Sequence, residues 1–412
     1  MFVYVLDKTG KPLMPTQRLG MVRRWLKSGR AVVVRREPFT IQLVDVEGGY
    51  TQPLTAGLDQ GTVHIGVSVV SPTDEVFSGE FELRTDMSAL ITERHTFRRS
   101  RRGHKTRYRA PRFLNRKHQD ALAPSVRAKV DESGKVFALL ASILPINTWN
   151  VELGNFDIHK LVNPDVEGEG YQQGEQYGFY NTREYVLWRD KHTCQHCRGK
   201  SKDPVLEVHH LDPHKKVGSD RPANLITLCA TCHYENHNGK PLKLKAPPSF
   251  RAPTQFNIIK TYLQHDIAYL TPHITYGYLT KAKRIELGLP KSHRNDAFVI
   301  AGGTDQRRAD VAYLGVFARK QNRKLFKGAR SHIRNTIPSA FGFKRGDRVQ
   351  LPDGREGFIA GLRSTGYFNV SRLDGTLIHA SAKHSTLRRL EGATTLRIER
   401  HLTKGEAHSS PA

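Results

Sequence analysis

The sequence predicts an α/β protein of the α+β multidomain kind, with one small module inserted into a larger framework. Three observations lead there. Stretches of two-residue apolar alternation and stretches of helical period follow one another along 412 residues, a length that suits two to four domains with their own cores. All four cysteines stand as two C-x-x-C pairs, Cys194/Cys197 and Cys229/Cys232, flanked by two linker-like stretches. From about Phe343 the pattern changes to short strands and tight turns, K-R-G-D-R-V-Q-L-P-D-G-R-E-G and then G-Y-F-N-V-S-R-L-D-G, which predicts a small β-barrel.

Charge narrows the partners. The chain carries 65 Lys and Arg against 39 Asp and Glu, a formal net charge of +26. Such an excess points to a polyanion, nucleic acid first and an anionic membrane surface second. No apolar run approaches the length that a bilayer span needs. The opening residues are apolar but reach Asp7 and Gly10 too soon for a signal peptide, so a cytoplasmic protein is expected. In a reducing compartment, paired C-x-x-C motifs hold metal rather than disulfides.

The elements follow in order. Residues 2–6 alternate as a strand and Asp7–Gly10 turns the chain. After Pro12-Leu13-Met14-Pro15, a helix is expected from Thr16, as N-cap, to Ser28, closed by Gly29. Ala31–Arg35 and Thr40–Val44 read as strands, completing a small α+β unit with a basic face. Ala56–Asp59, His64–Ser71 and Val76–Leu83 read as a three-stranded meander. Asp59 ends the first of these strands; it can be a turn-initiating acid or a site carboxylate. Residues 94–117 hold eleven Arg and Lys and no acid, with Phe97, Tyr108 and Phe113 between them. Such a run repels itself unless a polyanion neutralises it.

A helix over 120–145 ends at Pro145, and Ile146–Leu153 alternates as a strand, with Trp149 and Val151 on one face and Glu152 on the other. Residues 161–180 read as a linker, Thr182–Asp190 as a helix, and 238–253 as a second linker, rich in Pro and Lys. A helix over Thr254–Leu270 and a strand-like stretch over Ile274–Leu279 follow. His293 and Asp296, three apart, share one face of a helix start, where a capping pair is the plainer reading. Residues 318–335 are basic again, and the last dozen residues read as a tail.

The central module joins two chemistries. The two C-x-x-C pairs suit a closed, structural, tetrahedral Zn²⁺ site on Cys194, Cys197, Cys229 and Cys232. The histidines ask for a separate account. His209 and His210 point to opposite sides of a strand, so one can bind a metal while the other acts as a general base. Asn224, fourteen residues after His210, can hold the base's other ring nitrogen. His233 can complete the metal site, with His237 one turn on as an alternate ligand. The rival reading makes these histidines extra zinc ligands or capping groups.

H-H, then N, then C-x-x-C-H resembles the HNH nuclease motif in its zinc-stapled form, with His209 where that family usually has Asp. Around it, Asp59 at a strand end, Glu152 in a strand and His293-x-x-Asp296 resemble the split RuvC, RNase H-like nuclease. An Arg-rich segment between the first two, and the HNH module between the second and third, is the order found in IscB proteins. These are transposon-encoded, RNA-guided nucleases, and Pro12-Leu13-Met14-Pro15 matches the motif that names their N-terminal domain. The resemblance implies an N-terminal PLMP domain over 1–54 and RuvC segments over 55–84, 121–165 and 254–335. It implies an Arg-rich bridge helix over 85–120, an HNH module with its zinc site over 181–240, and a C-terminal β-barrel contacting RNA and the target flank over 340–395.

The resemblance also implies roles. Asp59, Glu152, His293 and Asp296 would hold Mg²⁺ or Mn²⁺ at the RuvC site, and His209 and His233 at the HNH site, with His210 and Asn224 catalytic. Arg98, Arg99, Arg101, Arg102, Arg107, Tyr108, Arg109, Arg112 and Arg116 would grip a guide RNA. The target would be double-stranded DNA, its guide-paired strand cut by HNH and its displaced strand by RuvC, with no membrane partner and a monomeric protein in a ribonucleoprotein. The alternatives are an HNH endonuclease acting without guide RNA and a non-catalytic zinc-containing nucleic-acid-binding protein.

Overall fold

The computed structural model describes residues 1–103, 122–211, 219–239, 242, 245, 247, 249–318 and 339–403, with only the backbone of 100–103. The chain divides into two units: Met1–Asn155 with Gln255–Ala412, and Phe156–Thr254. Among the described residues no helix is long and apolar enough to cross a membrane.

The first unit opens with β1 (Val3–Leu6), β2 (Pro12–Thr16), α1 (Leu19–Lys27), β3 (Ala31–Arg35) and β4 (Thr40–Leu43), whose sheet runs β2-β1-β4-β3. The helix starts later than expected. Thr16 belongs to β2, Arg18 is the N-cap, and no side chain caps the helix there. Gly29 closes it at φ +74°, a left-handed conformation that costs glycine nothing.

The larger sheet begins with β5 (Thr55–Gln60), β6 (His64–Val70) and β7 (Glu75–Glu82), an antiparallel meander. Then come α2 (Met87–Gly103), α3 (Pro124–Ile143) and β8 (Thr148–Glu152), which pairs parallel with β5. The second unit contributes α4 (Ile158–Val162), α5 (Thr182–Arg189), β9 (Leu206–His210), β10 (Leu225–Cys229) and α6 (Ala230–Asn238). The chain returns through α7 (Arg251–Asp266), β11 (His273–Thr275), α8 (Gly277–Glu286), α9 (His293–Ile300) and β12 (Val311–Phe317). It ends in β13 (Arg348–Gln350), β14 (Glu356–Gly361), β15 (Tyr367–Ser371), β16 (Leu377–Lys383), β17 (Arg388–Glu391) and β18 (Leu396–Leu402). The large sheet has seven strands in the order β11-β8-β5-β6-β7-β12-β18.

Alternation along β5 and β6 decides how this sheet is covered. Ala56, Leu58, Ile65, Val67 and Val69 join the main core with Val136, Phe137 and Leu140 of α3. The opposite face carries Gly57, Asp59, Gly66 and Ser68, and α9 lies on it. A Cβ on Gly57 would stand 2.2 Å from the Ala297 carbonyl oxygen, and one on Gly66 2.0 Å from that of His293. Two glycines on the same face of neighbouring strands thus allow a helix to sit directly on the backbone, beside the one acid of β5, which stands opposite Gly66.

Four expectations are corrected. The C-terminal β-barrel is an open five-stranded sheet, β16-β15-β14-β13-β17, whose edge strands β16 and β17 do not pair with each other. The chain leaves that sheet after β17, and β18 pairs antiparallel with β12 in the large sheet, its last two residues falling in the stretch read as a tail. The strand-like stretch Ile274–Leu279 is strand only to Thr275, then Tyr276 caps α8. The linker over 161–180 begins inside α4, which Asp157 caps by accepting from the His159 and Lys160 amides, and includes a short helical turn at Gly168–Tyr171.

Candidate active sites

In the second unit, β9 and β10 pair antiparallel, with His210 opposite Leu225 and His209 opposite Ile226, and α6 follows β10 directly. Cys194 and Cys197 lie in the turns before β9, Cys229 ends β10, and Cys232 lies in the first turn of α6. Their four sulfurs lie within 4.8 Å of one another, and Cys197 Sγ is 3.8 Å from Cys229 Sγ. Zinc–sulfur bonds of about 2.3 Å place tetrahedral sulfurs about 3.8 Å apart, so the donor set fits Zn²⁺. All four cysteines are unbridged. The Ser201 hydroxyl beside Cys197 draws its thiol down to about 6, which favours the thiolate that a metal needs.

On the side of β9 facing α6, the ring nitrogens of His209, His233 and His237 come within 4.8 Å of one another. His237 Nε2 and His233 Nε2 are 3.2 Å apart. Burial, with His233 and His237 close by, pushes His209 down to about 4, so it is a neutral ligand at pH 7. Glu207 binds the Nδ1 of His233, leaving Nε2 toward the cluster. Sequence analysis names His209 and His233 with His237 in reserve; the structure brings all three together and adds Glu207. The signal for Glu207 is in E-V-H-H, because alternation puts residues 207 and 209 on the same face.

His210 faces the other way, into a cleft lined by Asn181, Arg183, Val208, Asp220 and Leu225. Sequence analysis expects Asn224 behind its ring. The structure places Asp220 Oδ1 2.8 Å from His210 Nε2. Asn224 is buried, donates from its amide to the Ser219 carbonyl at 2.9 Å, and accepts from the Leu211 amide through its own carbonyl. It therefore ties Leu211, next to His210, and Ser219, next to Asp220, to one buried residue.

The first unit gathers Asp59, Glu152, His293 and Asp296 at one end of the large sheet. Asp59 and Glu152 are facing residues on the parallel strands β5 and β8. His293 opens α9 and its Nδ1 meets Asp59 Oδ2 at 2.6 Å. Ser292 caps that helix by accepting from the Asn295 amide, so neither His293 nor Asp296 is the cap. The bond to Asp59 raises the pKa of His293 against the pull of burial. Burial lifts the carboxyl of Glu152, opposed by a bond from Thr280 and supported by the charges of Asp59 and Asp296. Asp296 is buried, its Oδ1 2.8 Å from Arg284 Nε and its Oδ2 3.4 Å from Lys291 Nζ. A carboxyl lifted by burial and by two neighbouring acids fits a cation, and oxygen donors suit Mg²⁺ or Mn²⁺.

Arg98 and Arg99 lie on α2, and the Arg98 Nε contacts the Arg94 carbonyl at 3.4 Å. For Arg101 and Arg102 only the helical backbone is described, and Arg107, Tyr108, Arg109, Arg112 and Arg116 lie outside the described residues.

Residues 3–174 match the sequence family described as "RRXRR protein", and residues 194–239 match "HNH endonuclease". The run Arg98-Arg99-Ser100-Arg101-Arg102 lies in the first match. The type IV methyl-directed restriction enzyme EcoKMcrA of Escherichia coli (strain K12) is 36% identical over 66 residues, 14% of this chain and 24% of that enzyme. Among solved structures, Streptococcus thermophilus Cas9 in complex with the AGAA PAM is similar at a TM-score of 0.30 and 13% identity, covering 44% of this chain and 26% of that one. The chain thus spans about a quarter of either relative. It has a mixed α/β, multidomain architecture and carries an HNH endonuclease segment that includes the four cysteines and the histidine cluster.

Proposed function

We propose that the chain is an RNA-guided DNA endonuclease of the IscB kind, with the histidine site cutting the guide-paired strand and the carboxylate site the displaced strand. The observation that carries this reading is the histidine site. On one short strand, His209 faces a cluster able to ligate metal while His210 faces an open cleft, and the HNH endonuclease match covers both. A second, separate gathering of acids around Asp59 supports the two-site form of the proposal, as do the Arg-rich segment and the net charge of +26.

Each residue has a part. His209, His233 and His237 would hold one divalent ion, and three imidazoles suit a borderline ion such as Zn²⁺, Ni²⁺ or Fe²⁺ better than the Mg²⁺ or Mn²⁺ expected from the resemblance. Asp59, Glu152, Asp296 and His293 would hold Mg²⁺ or Mn²⁺ at the other site. Bound there, such ions supply charge stabilisation for the pentavalent phosphate and the departing oxygen. His210 takes the proton of the attacking water, and Asp220 orients and supports its imidazolium. The zinc holds the strands and α6 in place and takes no part in turnover. Bound RNA would meet the arginines through its backbone, and base pairing would read the sequence.

The test is what accompanies the protein. Expressed with its native flanking DNA, the protein should carry a discrete, structured RNA and cut DNA complementary to it. The similarity to EcoKMcrA favours one rival, an HNH endonuclease that needs no RNA. Cutting by RNA-free protein, with no added RNA, would decide for that rival.

A further inference from the structure

We infer that α8 sets the geometry of the carboxylate site, with Thr280 and Arg284 as its positioning residues. The inference rests on the reading of Asp59, Glu152 and Asp296 as metal ligands and goes beyond it, because α8 carries none of those groups.

Three residues on one face of the helix address two of the acids. The Thr280 hydroxyl donates to Glu152 Oε2. Arg284 Nε lies 2.8 Å from Asp296 Oδ1. A Cβ at Gly277 would stand 2.9 Å from Glu152 Oε1, so it would displace the carboxylate oxygen that Thr280 does not hold. Positions 277, 280 and 284 follow the helical spacing that stacks residues one above another. Thr280 and Arg284 are 5% and 8% exposed, so neither contact is a passing surface encounter.

The helix itself is well placed for this. It follows β11 at once, and Thr275 of β11 faces Glu152 across the parallel pair. Arg284 also reaches the Leu289 carbonyl at 3.0 Å, which fixes the segment leading into α9 and its His293 and Asp296. Thr280 leaves Glu152 one oxygen for a ligand, and Arg284 forms an ion pair with one oxygen of Asp296. A carboxylate held in one orientation binds a cation without first losing rotamer freedom, and removing such an outer partner commonly costs about tenfold to a hundredfold in metal affinity.

The experiment uses the full chain carrying His233→Ala, which silences the histidine cluster, and reads Mn²⁺ binding by electron paramagnetic resonance. Asp59→Ala serves as the control for the site. Asp59→Ala should abolish binding. Thr280→Val, nearly the same shape, should weaken it about tenfold or more. Thr280→Ser should restore it, and Gly277→Ala should weaken it as Thr280→Val does. If Asp59→Ala abolishes binding while Thr280→Val lowers only the melting temperature, Thr280 is merely structural and the inference is overturned. If Asp59→Ala leaves binding unchanged, the metal reading of these acids falls, and the inference with it.

Discussion

At the scale of residues, the alternation of one strand sets His209 and His210 on opposite sides, which in the proposed function separates ligation from proton transfer. Glu207 acts on the ligand side, through Nδ1 of His233. Glu207→Gln should therefore lower divalent-metal affinity by about tenfold to a hundredfold, as measured by calorimetry. His210→Ala should leave that affinity unchanged and slow cutting of one strand by about a hundredfold to ten-thousandfold. At the carboxylate site, His293 gains its proton from the bond to Asp59, so its folded pKa lies above the unfolded value. In metal-free protein the pair should stabilise the fold fully below about pH 6.5 and lose that contribution as pH rises through the higher folded value. Titration of the His293 ring by NMR should show the raised midpoint, and Asp59→Asn should bring it down. The grouping of His209 with His233, and of His237 as an alternate, could be read from spacing. Asp220 could not, because it lies ten residues from His210 outside any helix or strand, and no periodicity encodes that contact.

At the scale of elements, glycines decide which helix can touch which strand. Gly57 and Gly66 admit α9 onto the bare face of the sheet, and that contact delivers His293 to Asp59. Gly66→Ala sets a methyl against the His293 backbone and should cost about 1–3 kcal/mol by denaturant unfolding. Cutting at the carboxylate site should fall, with the histidine site unaffected. The sequence shows both glycines but not their shared face, which depends on the register Asp59 opposite Gly66. Likewise α8 hid behind tyrosines, which favour strands, while its helical face of Gly277, Thr280 and Arg284 becomes legible only once Glu152 and Asp296 lie beside it. In the second unit, the four cysteines close the ends of β9, β10 and α6. Removing zinc with a strong chelator, or Cys232→Ser, should abolish the unfolding transition of this unit in calorimetry and leave that of the first unit in place.

At the scale of the whole molecule, the order of the chain separates two candidate sites, one on each unit. That order was legible because its markers are chemical: paired cysteines, a doubled histidine, and an Arg-rich run without acids. Closure of the C-terminal sheet was not legible, since it turns on whether β16 and β17 meet, and alternation is the same in an open sheet and a barrel. Nor was β18, which starts just past the stretch over 340–395 read as a barrel and ends inside the last dozen residues read as a tail. The central claim is that the two sites work on different strands, and strand-resolved cutting of a guide-matched DNA duplex tests it most directly. His210→Ala should nick only the displaced strand, Asp59→Ala only the guide-paired strand, and the double variant neither. If both single variants still cut both strands, the two-site account is wrong.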